Sequence, residues 1–501
     1  MSATDLRAGA AGALARRLSP KYLEEHCLVP LGMTDAGELL VAAGAPLDPT
    51  VLDELAWTYE CPVRVTEAPA AEIHAAVMSA AQEEDTPAVG GDLIVVAEEE
   101  ATIDDLRALA NQTPVIKLVN LLVLEALRAR ASDIHLEAGA DGLRVRYRID
   151  GVLHDISNPP RQYQAAVISR VKIMAGLNIA ERRLAQDGRI RLRLSDRDLD
   201  LRVSITPTLH GESVVLRVLD RGAGVRDLGE LGMPEQVLGE FEQLVRQPHG
   251  IILVTGPTGS GKTTTLYGAL NRLNQAGVKI ITVEDPVEYQ MAGVSQIPVN
   301  AKIGLTFAAA LRSILRHDPD IIMVGEMRDR EAAEIAIQAA LTGHLVFSTL
   351  HTNDAPAGVT RMVDMGIESY LVAATVLGIL AQRLVRVVCE ACAEDIEPDD
   401  DVLAKVAAGQ VTIPSPRFRR GRGCEVCAGT GYRGRTGLYE LVPMNAELRE
   451  AVVRRASLAE LRALAAARGT ASLRAAGWAT ACAGVTTLEE VLRLTRDEVV
   501  G

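Results

Sequence analysis

Residues Gly250 to Thr265 read GIILVTGPTGSGKTTT, an apolar strand that enters a glycine-rich loop and continues into a helix. The pattern G-x-x-x-x-G-K-[ST] is matched without a gap. Gly256, Gly259 and Gly261, with Pro257, Thr258 and Ser260 between them, let successive backbone N–H groups turn inward around phosphate oxygens. The helix beginning near Lys262 adds its positive N-terminal end. In such a loop Lys262 reaches the outer phosphates, the hydroxyl of Thr263 ligates magnesium, and Thr264 closes the cradle. A loose pattern can match by accident in a long chain, but here the strand, loop and helix occur together.

A chain of 501 residues exceeds one hydrophobic core, so roughly three or four folded units are expected. The formal net charge of -14 argues against a protein whose main task is gripping nucleic acid, which leaves a basic footprint. The longest apolar stretch, Tyr370 to Ala381, contains Thr375 and Gly378 and runs into Gln382 and Arg383. It is too short to span a bilayer. The N-terminus carries Arg16 and Arg17 without a signal-type apolar region, so a cytoplasmic location is expected.

Residues 1–65 form a small α/β module, with strand-like pieces at Glu38 to Ala42 and Val63 to Val65. Thr66 to Asp105 holds eleven acidic residues and no Lys or Arg, which predicts a self-repelling linker over 66–113. Alternating strands at Leu143 to Arg148, Ile190 to Leu194, Leu199 to Ile205 and Ser213 to Val218 predict an arginine-bearing α+β domain over 114–220. Four glycines between Arg221 and Pro234 suggest a hinge over 221–235. Beyond it, strands at Lys279 to Val283, Ile321 to Val324 and Leu345 to Ser348 alternate with helices starting near Phe307, Arg330 and Pro356. That order predicts a mainly parallel sheet over 236–388, with ligands at the carboxyl ends of its strands. Cys389, Cys392, Cys424 and Cys427 form two C-x-x-C pairs, a spacing that suits one structural zinc ion over 389–430. Cys27, Cys61 and Cys482 are scattered, and buried thiols are the simplest account of them. Residues 431–501 are expected to form a helical subdomain.

Three polar clusters follow the strands behind the glycine loop. VEDPVEY supplies Glu284, Asp285 and Glu288; IIMVGEMRD places Glu326 after an apolar strand; TGHLVFSTLHTNDA brackets a strand with His344 and His351. Each alone is ordinary polar surface, whereas three in order behind one phosphate loop suggest a hydrolytic site. Arg312 and Arg316 are spaced to share a helix face and meet developing phosphate charge.

GPTGSGKTT, VEDPVEY, MVGEMRD and STLHTNDA together resemble the Walker A, aspartate-box, Walker B-like and histidine-box motifs of the secretion ATPase superfamily, over about Pro114 to the C-terminus. The resemblance implies a RecA-like P-loop core preceded by a PAS-like domain, with ATP, Mg2+ and Zn2+ bound. It gives Glu326 the task of polarising water, Glu284 and Glu288 that of placing magnesium and water, and His344 and His351 that of coupling phosphate state to shape. It extends to Arg189 in QDGR and Arg202 in LRVS, as arginines supplied by the preceding domain. Ala185 stands where the family has proline, and Met327 where it has isoleucine.

The tetracysteine pairs resemble the type II secretion and pilus extension forms rather than the retraction form, and the single short N-terminal module looks most like the type II secretion form, with the pilus extension motor as the alternative. That implies a hexameric ring, peripheral to the inner membrane, whose N-terminal module docks on a membrane platform protein's cytoplasmic part. No nucleic-acid partner is expected. A nucleic-acid translocase and a non-hydrolysing nucleotide scaffold remain the other classes at this point, separable by DNA stimulation and by turnover of Lys262 and Glu326 variants.

Overall fold

The computed structural model describes residues 22–76 with short gaps, 94–95, 113–194, 197–220, 224–397 and 416–495, together with Leu14 and Leu18. The chain divides into two units, Met1–Asp92 and Leu93–Gly501. In the first, β1 (Leu28–Met33), β2 (Leu39–Ala43) and β3 (Val63–Glu67) form a sheet in that order, with α1 (Pro49–Tyr59) inserted before β3. Leu28, Leu39, Val41 and Leu55 are fully buried between them. Most of the expected acidic linker, 66–113, lies outside the described residues.

The second unit begins with an antiparallel sheet ordered β4-β8-β9-β10-β5-β6-β7. Its strands are β4 (Ile94–Val95), β5 (Asp133–Ala138), β6 (Leu143–Ile149), β7 (Val152–Ser157), β8 (Gln186–Leu194), β9 (Arg197–Thr208) and β10 (Gly211–Asp220). Helices α2 (Thr113–Arg128) and α3 (Arg161–Met174) cover one face. Val119, Val123, Val167 and Val171 there meet Ile134, Leu136, Leu201 and Leu216. The ASDIHLE piece is therefore an internal strand, with Ile134 and Leu136 turned to the core and Asp133, His135 and Glu137 to the other face.

The mainly parallel sheet is ordered β13-β12-β14-β15-β11-β16-β19. It contains β11 (Gly250–Thr255), β12 (Ile280–Glu284), β13 (Val294–Pro298), β14 (Ile321–Val324), β15 (Leu345–Leu350), β16 (Val376–Val388) and β19 (Tyr432–Pro443), while β17 (Ala393–Asp395) and β18 (Arg419–Gly421) pair with each other in a small antiparallel sheet between the last two in sequence. All neighbours pair in parallel except β16 with β19. The apolar stretch from Tyr370 divides into a short helix, α9 (Ser369–Thr375), and the start of β16. Among the described residues no helix is long and apolar enough to cross a membrane. Helix α4 (Glu235–Val245) precedes β11, and the crossover helices α5 (Lys262–Leu273), α6 (Phe307–Ile314), α7 (Arg330–Leu341) and α8 (Pro356–Asp364) lie between the sheet's strands in sequence. Thr306 and Asp329 cap α6 and α7 by accepting from Ala309 N–H and Ala332 N–H.

Two regions depart from expectation. Residues 432–443, counted with the helical subdomain, form the outer strand of the mainly parallel sheet. The helices proper are α10 (Ala446–Val453), α11 (Leu458–Ala467), α12 (Leu473–Cys482) and α13 (Leu488–Leu494). The glycine-containing segment read as a hinge is packed down: Leu228 is fully buried beside Leu266, Tyr267 and Leu270, and Asp227 pairs with Arg272 at 3.0 Å. Gly268 makes this possible, because a Cβ there would stand 3.0 Å from Leu228 Cδ2 and 3.1 Å from the Arg226 carbonyl. Glycine spacing signals turns, not mobility, and here the turns seat a strap on the phosphate-loop helix.

Candidate nucleotide site and metal centre

Parallel pairing aligns the strand ends. Thr255 of β11 pairs with Leu350 of β15 and Ala381 of β16, and Val324 of β14 with Ser348. The phosphate loop, Glu284, Gly325-Glu326, His351 and Gln382 consequently emerge along one edge. A cavity of about 540 Å³ opens there, walled by Thr258 to Thr264, Glu284, Glu288, Glu326 and His351.

The loop's backbone is shaped by its surroundings. Gly256 and Gly261 have φ of 150° and 89°, and a Cβ on either would meet Gln382, at 2.5 Å from its carbonyl oxygen and 2.7 Å from Nε2. Only glycine fits these two positions. Gln382 in turn accepts from the Thr265 hydroxyl at 2.7 Å. Lys262 Nζ donates to the carbonyls of Gly256 and Pro257 at 2.8 and 3.1 Å, folded back on its own loop. Burial pushes its pKa down to about 8, with Glu326 pulling the other way and Arg383 adding to the depression. The Ser260 hydroxyl is buried and without a partner. A buried donor without a partner and a buried cation turned on its own carbonyls both fit a loop built for phosphate oxygens.

Glu284 is almost fully buried at the end of β12. It accepts from Thr282 at 2.5 Å, from Gln296 at 3.1 Å and from the Tyr267 hydroxyl. Three donors fix such a carboxylate in place. Glu326 lies between anchored neighbours: Gly325 N–H donates to the Val283 carbonyl and Met327 N–H to the Thr349 carbonyl. Its carboxylate meets Arg328 and, at 3.5 Å, His351 Nε2. Met327 is buried in the sheet's core, clear of the cavity.

Other expected residues lie elsewhere in this chain. His344 precedes β15 and accepts through its carbonyl from Gly250 N–H, at the amino end of the sheet. With six residues of strand between, it stands roughly 20 Å from the phosphate loop. Its ring bonds the Ala339 carbonyl at 2.8 Å. Arg312 pairs with Glu331, and α6 ends at Ile314, so Arg316 sits in the following turn and donates to the Arg312 carbonyl. Arg189 and Arg202 line an adjoining cleft, whereas Arg217, Arg328 and Arg435 line the cavity itself. Arg328 stood in the GEMRD motif and could have been found there. Arg217 and Arg435 become visible only through strand register.

Cys389, Cys392, Cys424 and Cys427 bring their sulfurs within 4.8 Å of one another. Sγ separations are 4.0 Å for Cys389 to Cys424, 3.9 Å for Cys392 to Cys427 and 3.7 Å for Cys424 to Cys427. A tetrahedral zinc with bonds of about 2.3 Å would set them about 3.8 Å apart, so the cluster fits zinc. Burial works against a charge on Cys427, but N–H groups of Cys424 and Gly431 point at its sulfur and bring the thiol down to about 6. With every ligand position filled by sulfur, such an ion would be structural.

A family model for type II/IV secretion system proteins matches residues 108–493, and one for the MshEN domain matches 3–87. Type II secretion system protein E of Xanthomonas campestris pv. campestris is 49% identical over 490 residues, covering 96% of this chain and 85% of its own. The type IV pilus assembly ATPase PilB of Myxococcus xanthus is 45% identical over 485 residues, covering 95% of this chain and 86% of its own. The crystal structure of the pilus retraction motor PilT with bound ADP matches at a TM-score of 0.52 and 28% identity, over 75% of this chain and 96% of that one. With its phosphate loop and strand-end carboxylates in one cavity, the chain belongs to the type II/IV secretion system protein family.

Proposed function

We infer that the protein hydrolyses ATP to power type II protein secretion, driving assembly of a pilin-like filament at the inner membrane. The observation that carries this is the convergence of Lys262, Thr263 and Glu326 on one cavity in a chain 49% identical to a type II secretion system protein E. Magnesium, held by Thr263 with Glu284 behind it, would screen the phosphate charge. Lys262 leaves the Gly256 and Pro257 carbonyls for the outer phosphates, and the Ser260 hydroxyl gains a partner. Glu326 orients the attacking water, steadied by Arg328 and His351. Arg328, Arg217 and Arg435 then offset charge on the departing phosphoryl group.

Residues 1–65 serve as the docking module for a membrane platform protein, 66–113 as linker, 114–220 as the arginine-bearing domain and 221–235 as the strap. Residues 236–388 with 432–443 are the motor, 389–430 the zinc module and the remainder the helical cap. The assembly is a hexameric ring. A pilus extension motor is the second reading, favoured by the 45% identity to a pilus assembly ATPase over nearly the whole chain.

Glu326→Gln should bind ATP yet lose about 10²–10³-fold in turnover, while Lys262→Ala should lose binding as well. Phosphate release and nucleotide binding measure the two. Wild-type turnover in both variants would remove the ATPase assignment. Complementation of a secretion-deficient strain, set beside complementation of a piliation-deficient one, separates the two machines.

A further inference from the structure

The three donors to Glu284 come from three elements and do not share its oxygens evenly. Thr282, on β12 itself, and Gln296 of β13 both donate to Oε1, at 2.5 and 3.1 Å. Gln296 is fixed in turn, since it donates to the Tyr289 carbonyl at 2.9 Å and accepts from Met291 N–H at 2.8 Å. Oε2 receives the Tyr267 hydroxyl. A carboxylate offers about two acceptor positions on each oxygen. Oε1 is therefore filled from the sheet, and the position left open belongs to Oε2, in a side chain that lines the nucleotide cavity.

Tyr267 differs from the other two donors in where it comes from. It lies on α5, the phosphate-loop helix, four residues after Thr263, so the two share one helix face. Its ring is buried among Leu228, Leu266 and Leu270 and meets Tyr289 edge-on at 5.9 Å. Its hydroxyl also accepts from Glu288 N–H at 3.3 Å, which leaves the hydroxyl proton for Glu284. Burial, with the Glu284 carboxylate beside it, pushes the phenol's pKa far upward, so it remains a donor. One hydroxyl thus ties the helix of Thr263 to the carboxylate of Glu284 and to the backbone that carries Glu288.

We propose that Tyr267 is a positioning residue of the hydrolytic site, whose hydroxyl sets the place of Glu284 Oε2 relative to the Thr263 hydroxyl and so the seat for magnesium between them. This rests on the ATPase assignment for the nucleotide and its metal. Tyr267 acts through Glu284 and touches no reacting atom. The N–H groups of the phosphate loop precede α5, so loss of the hydroxyl leaves them in place. Tyr267→Phe removes one oxygen and keeps the ring in its packing.

The test is a non-hydrolysable ATP analogue titrated by calorimetry, with and without Mg2+, into wild type, Tyr267→Phe, Glu284→Ala and the double variant. Without Mg2+, Tyr267→Phe should bind as wild type does. With Mg2+ its affinity should fall about tenfold or more below wild type, the usual cost of losing a bond behind a metal-holding group. In the Glu284→Ala background Tyr267→Phe should change the Mg2+ affinity by less than about twofold, because nothing is left for it to position. Thermal unfolding checks that the variants are folded, and Tyr267→Met takes the place of Tyr267→Phe if that one is not. Mg2+ affinity undiminished in Tyr267→Phe, or a loss equal in both backgrounds, would overturn the proposal and leave the ATPase assignment standing. Wild-type affinity indifferent to Mg2+ would overturn both.

Discussion

The two large sheets solve burial in different ways. In the motor sheet β11, β12, β14 and β15 are buried at every position, because helices cover both faces. Polar groups that do chemistry have no place along such strands and collect where the strands end. The antiparallel sheet buries one face, and along β6 buried Leu143, Val145 and Tyr147 alternate with arginines 144, 146 and 148. Its charges occupy a face, in rows set by register. One sheet thus presents a point of chemistry at an edge, and the other an extended face of arginines paired with carboxylates.

The largest test of that contrast is in the buried strands. Phe347 in β15 is fully enclosed, so Phe347→Ala should cost about 3–5 kcal/mol. Arg148 on the open face has Asp133 at 3.8 Å and is a third exposed, so Arg148→Ala should stay within about 1 kcal/mol. Thermal unfolding compares the two, and equal losses would break the contrast. A somewhat smaller effect is expected where the motor sheet turns antiparallel. Glu490 on α13 is shut from water and bonded to Arg386 of β16 and to Arg493. Burial raises its pKa, but bonds from Arg493 and Arg386 outweigh it and bring it down to about 2. A carboxyl depressed on folding stabilises above its unfolded value near 4.5, and that contribution disappears as pH falls through 2. Wild-type stability should drop by about 3 kcal/mol more over this window than that of Glu490→Gln, which starts lower. Parallel acid-unfolding curves for the two would refute it.

The motor was legible because its signals are local. A phosphate loop is one continuous segment, and apolar strands with polar ends read directly, so β14 and the starts of α6, α7 and α8 fall where the spacing predicts. The cysteine pairs are local too. Long-range pairing was not legible. β16 and β19 exchange bonds across an intervening zinc module, which is why Tyr432 to Pro443 was counted with the helices. Arg217 is one of many arginines in sequence, and only its place opposite Arg202 and Asp133 singles it out. His344 misled for a simpler reason: it precedes its strand, while the chemistry gathers where strands finish.

The smallest effect concerns the edge itself, through Lys262. Its pKa is held down to about 8, chiefly by burial. Phosphate oxygens favour the charged ammonium, so its pKa must rise when nucleotide binds and a proton is taken up whenever the lysine began neutral. The sign follows. Below pH 8 the lysine is already charged and affinity is flat; above pH 8 each unit should weaken binding by up to about 1.4 kcal/mol, or tenfold. Nucleotide titrations without magnesium between pH 7 and 9.5 would show the bend, with Lys262→Arg as control because a guanidinium does not titrate there. A bend in both proteins would assign the titration to another group, and a flat wild-type profile would mean that burial does not depress Lys262 and that it is as well solvated as a lysine on an open sheet face.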